Sequence, residues 1–182
     1  MMHGMARMPR MPELHLATYA ASCAALATLL GAASTLVAPK PPRSVARFLV
    51  RALHFFTHIS FAFYLVARGG KVADVAYLVT ILLVFAHWQL YGECVLSYLD
   101  EKLADPAYPG RAPGTLSISY LRDLLGPKAT NVFLVVMMAL TLATYFVVLW
   151  RLALPGVAKG FFAVAFVVLG AASVSDKRMA SF

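Results

Sequence analysis

The side chains that could do chemistry are crowded into one stretch, His87-Trp88-Gln89-Leu90-Tyr91-Gly92-Glu93-Cys94-Val95-Leu96-Ser97-Tyr98-Leu99-Asp100-Glu101-Lys102. It follows an almost wholly apolar run from Val72 to Phe85. Polar groups at membrane depth are costly and need partners, so they mark a site or a packing network. With about 100° between successive residues of a helix, His87, Tyr91, Cys94 and Tyr98 share one stripe. Gln89, Glu93, Ser97 and Asp100 share a second, and Trp88, Gly92, Val95 and Leu99 a third, apolar one. A lone helix in lipid could not satisfy both polar edges. A network is therefore expected that joins Gln89, Tyr91, Glu93, Cys94 and Ser97 to Arg47, Arg51 and His58 of the preceding run.

Two pairings follow from counting outward from Gly70, the centre of the turn Arg68-Gly69-Gly70-Lys71. His54 lies 16 residues before it and His87 lies 17 after it. Equal rise per residue puts both imidazoles at one depth, where they could ligate one haem iron. Hydrogen bonding to each other or to hydroxyls is the plainer alternative. Arg47 and Glu93 each lie 23 residues from Gly70. An Arg47–Glu93 pair, with Arg51 as the next partner, would fix helix register.

Other chemistry is missing from the chain. It carries no Gly-rich phosphate loop, no HExxH and no Ser-His-Asp order of plausible geometry. Cys23 and Cys94 sit in different apolar runs, and neither belongs to a metal-ligand spacing. A catalytic role is not expected.

The elements that must position these residues are membrane helices. The 182 residues are 61% hydrophobic and only 13% charged, with mean hydropathy +0.75, unlike a soluble domain of this size. The predicted fold is an all-α integral membrane bundle of five transmembrane helices with a short interfacial amphipathic helix. The spans are 14–38, 45–67, 72–99, 131–151 and 157–174, within a single domain 14–175. Residues 1–13 read as a basic N-terminal arm, 100–130 as a connector and 176–182 as a polar tail. In the first span Ala17, Ala21, Ala24, Thr28 and Ala32 recur at spacings of three and four, which lets helices approach closely. Arg43, Arg47 and Arg51 form a ridge that can snorkel to headgroups. In the connector, Leu116, Tyr120 and Leu124 share a face, as on an interfacial or docking helix.

The net charge of +8, with basic residues gathered at the ends of apolar runs, suits anionic lipid headgroups rather than nucleic acid. Six of the sixteen basic residues, Arg7, Arg10, Arg68, Lys71, Arg151 and Lys159, fall on the N-terminal side of a five-span layout. The rest fall opposite, so the C-terminal side is expected to be cytoplasmic or its equivalent.

His87-Trp88, then Glu93-Cys94-x-Leu96-Ser97-Tyr98-x-x-Glu101-Lys102 and Asp105-Pro106-x-Tyr108-x-Gly110, resembles a pattern in small multi-pass membrane proteins of unknown function encoded by large double-stranded DNA viruses of algae and protists. The resemblance covers residues 84–110. It implies a membrane component of a large assembly, such as a virion internal membrane or host endomembrane, and no catalytic residue. The expected function is that of a non-enzymatic structural or scaffolding subunit, with the lipid bilayer and other subunits as partners and no resident cofactor. The alternatives are a haem- or quinone-binding anchor of a respiratory complex, which would sit in the mitochondrial inner membrane, and an ion-conducting oligomer.

Overall fold

A computed structural model describes residues 14–38, 44–110 and 119–175. The arm, Arg43, Leu116 and the tail lie outside the described residues. Among the described residues the regular structure is helical apart from one two-residue pairing. In order it forms β1 (Leu14–His15), α1 (Leu16–Leu36), α2 (Val45–Ala62), a single 3-10 turn (Tyr64–Val66), β2 (Ala67–Arg68) and α3 (Gly70–Tyr91). It continues with α4 (Val95–Ala104), α5 (Ser119–Leu125), α6 (Pro127–Arg151) and α7 (Gly156–Ser175). The helices α1, α3 and α6 are long and apolar enough to cross a membrane, and α7 holds a shorter apolar stretch, Gly156–Leu169.

Local chemistry sets several boundaries. The Ser44 side chain caps α2 by accepting from the Arg47 backbone N–H at 3.1 Å. Pro127 opens α6 at a position where its missing N–H costs nothing. Gly92 closes α3 with φ +72°, a left-handed conformation in which a side chain would be strained. That residue overturns the expected continuous third helix over 72–99. Glu93 and Cys94 are non-helical, and a separate helix starts at Val95. The single stripe through His87, Tyr91, Cys94 and Tyr98 is thereby cut in two.

The packing of the second and third helices also departs from expectation. α2 packs on α1, α4 and α6, whereas α3 packs on α7 and α6. α2 and α3 do not pack along their lengths, since α6 touches both. They meet beside their connection, where the Tyr77 hydroxyl donates to the Phe61 carbonyl at 3.0 Å and Tyr64 stacks on Tyr77 at 4.4 Å. The physical reason lies in the connection itself. It is not a four-residue turn but the 3-10 turn followed by β2, which pairs in parallel with β1 at the start of α1. The added chain lets the two helices splay.

α1 and α2 make the most extensive contact. The stripe that α1 buries is Tyr19, Cys23, Ala27, Gly31 and Ser34. Ala17, Ala21, Ala24 and Thr28 point outward and Ala32 is half-buried, so the close-packing face lies beside the one expected. Gly31 is where the backbones come closest, because a Cβ placed there would lie 2.8 Å from the backbone of Ala52. Around this pair the core is aromatic and aliphatic, with Phe55, Leu78, Ile81, Tyr145 and Val148 all but sealed from solvent. α5 is docked in the bundle rather than laid along an interface: Tyr120 and Leu121 are fully buried, and Arg122 and Leu125 are exposed.

Candidate functional site

Four charged side chains converge where α2, α4 and α5 meet the end of α1. Arg47 and Arg51, one turn apart on α2, share the carboxylate of Asp100 on α4. The Arg47 Nε donates to Asp100 Oδ1 at 2.9 Å. The Arg51 Nε donates to the same oxygen at 2.9 Å, and its Nη2 donates to Asp100 Oδ2 at 3.0 Å. That two-point geometry is the strong form of an arginine–carboxylate contact. Arg51 Nη2 also reaches Asp123 Oδ2 on α5 at 2.9 Å, and Nη1 donates to the Ser34 carbonyl of α1. Asp100 and Arg51 are 0% exposed and Arg47 is 2% exposed, so the cluster is desolvated. One guanidinium thus ties together four helices.

The sequence places Arg47 and Arg51 in a polar network, and they are in one. The carboxylate on Arg47 Nε is Asp100, seven residues beyond Glu93. Equal counting about Gly70 assumes an unbroken helix, and the break at Gly92 removes that assumption. Glu93 is itself buried and accepts from the Tyr108 hydroxyl at 3.3 Å. Ser97 is buried on α4, whereas Gln89 and Tyr91 are exposed near the end of α3.

Immediately along α2 from the charge cluster lies a second group. His54 and His58 stack in parallel with centroids 5.0 Å apart. Tyr120 of α5 tilts against His54 at 4.6 Å, and its hydroxyl lies 3.0 Å from His58 Nε2. Cys94, the residue that heads α4, sets its Sγ 3.5 Å from His54 Nε2. The other ring nitrogen of His54, Nδ1, is buried with no hydrogen-bond partner among the described residues. Burial pushes the Tyr120 phenol well above its ordinary value, so it remains a hydroxyl. His87 is not part of this group: it tilts against Tyr91 at 4.7 Å on the far side of the Gly92 break. Among the described residues no group of three or more His, Cys, Asp or Glu is placed to hold a metal ion.

The other end of the bundle carries a smaller clasp. Arg151, at the end of α6, donates through Nε to Asp74 Oδ2 at 2.8 Å and through Nη2 to Oδ1. Tyr64 also donates to Asp74 Oδ1, at 3.1 Å, and its ring lies under the Arg151 guanidinium at 5.7 Å. Arg47 and Tyr64 are 17 residues apart along α2 and its 3-10 extension, which separates the two clusters by about 25 Å at helical rise.

Asp100, Asp123, Asp74 and Tyr120 are the residues that sequence reasoning missed as partners. One signal was present: the chain has only eight acidic residues, and a doublet of buried arginines must draw on them. No protein-family model, curated protein or solved structure matches this chain.

Proposed function

We propose that the chain is a non-enzymatic, multi-pass membrane subunit with a structural or scaffolding role in a larger membrane-associated assembly. The observation that supports it most directly is the Arg47–Arg51–Asp100–Asp123 cluster. Its charges close on one another inside the fold, in a desolvated contact that fixes helix register. What faces outward is apolar on every long helix, including Leu29 and Leu36 of α1, Leu83 of α3, Val135 of α6 and Val164 of α7. On this reading five segments cross the membrane, α2 and α7 joining the three long apolar helices. Anionic headgroups meet basic residues such as Arg122 and Lys128, which are exposed on α5 and α6. A virion internal membrane is the assembly that the resemblance of residues 84–110 suggests.

Extraction in mild detergent followed by native mass spectrometry tests the proposal. The expected result is a complex containing this chain and at least one other protein. A chain recovered alone, as a monomer, under conditions that preserve other membrane complexes of the same membrane would overturn it. The stacked pair of buried His54 and half-buried His58 favours one second reading, a haem- or quinone-binding anchor. A reduced-minus-oxidised absorption spectrum of the purified chain separates the two, since only the anchor gives haem bands or a quinone difference signal.

A further inference from the structure

At the Arg151–Asp74 end of the bundle, α6 turns into α7 through Leu152-Ala153-Leu154-Pro155. Lys159, near the start of α7, reaches back across that corner. Its Nζ donates to the Trp150 carbonyl at 3.1 Å and stands over the Trp150 ring, 5.7 Å from the centroid. Trp150 itself is 83% exposed. We propose that this corner holds one anionic phospholipid, with its phosphate on the Lys159 ammonium and its acyl chains along the apolar outer face of α6.

The state of each basic side chain singles out Lys159. Arg47, Arg51 and Arg151 are paired with carboxylates inside the fold. Lys102 is taken up by the Pro106 and Tyr108 carbonyls. Lys71, Arg122 and Lys128 are exposed, with no hydrogen bond among the described residues to fix them. Lys159 is half-buried and held in place, yet has no carboxylate partner among the described residues. An ammonium carries three N–H donors, so two remain once the Trp150 carbonyl has taken its share. A cation held partly out of water without a counter-ion is a standing cost that an anion relieves. The side chain is already ordered by the carbonyl and the ring, so little rotamer freedom is left to lose on binding.

The surroundings select the anion. Tryptophan collects at the level of lipid headgroups, its ring toward hydrocarbon and its N–H toward the polar layer. The Trp150 indole N–H has no acceptor among the described residues and supplies a second donor beside the ammonium. One turn deeper, Phe146 and Val147 of α6 are exposed and offer acyl chains an apolar wall. The carboxylate described at this end, Asp74, is occupied by Arg151 and does not stand against a phosphate. A small soluble anion would use the cation and leave the wall bare, whereas a phospholipid uses both. The inference rests on the reading of the chain as a membrane protein and is independent of any partner subunit.

The test offers phosphatidylglycerol or phosphatidylcholine to the isolated full chain in mild detergent and counts retained lipid by native mass spectrometry. The expected result is one phosphatidylglycerol per chain, preferred over phosphatidylcholine by about fivefold or more, the worth of one basic residue at an anionic surface. Lys159→Met keeps the apolar stem and should abolish that preference. Lys71→Ala removes an equal charge from the same end and should leave it unchanged. An excess of inorganic phosphate should not displace the lipid. Equal retention of the two lipids by the unsubstituted chain would overturn the proposal, and that measurement needs no variant to fold. Equal weakening by Lys71→Ala and Lys159→Met would reduce the effect to diffuse attraction and overturn it as well, as would displacement by phosphate. If Lys159→Met spares lipid retention but disrupts a complex with another protein, the corner docks protein and the proposal falls. Lipid is counted on the isolated chain, so the result stands apart from the scaffolding role, which is read from complex formation.

Discussion

Asp100 is the residue on which most depends, because it accepts from two arginines that have lost their water. Asp100→Asn keeps the shape and removes the charge. The expected cost is on the order of 3–5 kcal/mol, the usual penalty for leaving a buried ion without its partner. A fall of many degrees in the melting temperature of the detergent-solubilised chain checks it. The apolar control is a fourfold replacement, Arg47→Met, Arg51→Met, Asp100→Leu and Asp123→Leu, which should recover much of the loss, since none of the four charges of the cluster then remains stranded there. Sequence alone offered Arg47 and Arg51 as partners for Glu93, or as a ridge that snorkels to headgroups. It did not show Asp100, because a carboxylate beside Glu101 and Lys102 reads as the place where a helix leaves the membrane. Burial of that charge depends on α5 folding over it, and the Arg51–Asp123 contact spans 72 residues. No local pattern carries information across that distance.

Between helices the decisive contact is α1 against α2. Gly31→Ala would set a methyl group 2.8 Å from backbone and side-chain atoms of Ala52. Overpacking of this kind costs about 1–3 kcal/mol, and Gly31→Leu should prevent the hairpin from closing. Ala24→Leu lies on the exposed side and should change the melting temperature of the chain little, within about 0.5 kcal/mol. Thermal melts of the three variants side by side check the assignment of the face; destabilisation of the isolated chain by Ala24→Leu equal to that by Gly31→Leu would contradict it. That α1 would be a small-residue helix in close contact was legible from its composition. Which of its faces makes the contact was not. Small residues line both sides of it, and the selection is made by Tyr19, whose hydroxyl donates to the Ser60 carbonyl at 2.6 Å. The third helix failed differently. Gly92 sits inside an otherwise helical pattern, where a glycine is tolerated or terminates, and here its left-handed conformation terminates.

As a whole the molecule is a helical bundle clasped at two ends, by Arg51 with Asp100 and Asp123 at one and by Arg151 with Asp74 at the other. The helical, membrane-type character of the chain was plain from composition. The neighbour relations were not, since a long connection between α2 and α3 looks in sequence like a tight turn. If the clasps lie at opposite membrane surfaces, single cysteines replacing Lys71 and Lys128 should be labelled by an impermeant thiol reagent from opposite sides of sealed vesicles, in a background of Cys23→Ser and Cys94→Ser. Labelling of both from one side would refute that placement. The larger clasp also bears on how the chain is made. Arg47 and Arg51 leave the ribosome long before the carboxylates that neutralise them, 49 residues ahead of Asp100 in the case of Arg51. At about 5–20 residues per second, that is an interval of several seconds in which two arginines stand at the membrane without counter-charges. During it the nascent hairpin must be sheltered by the insertion machinery or by headgroup phosphates. A chain truncated ahead of residue 100 should consequently stay bound to that machinery or be degraded, with a half-life in pulse–chase well below that of the full chain.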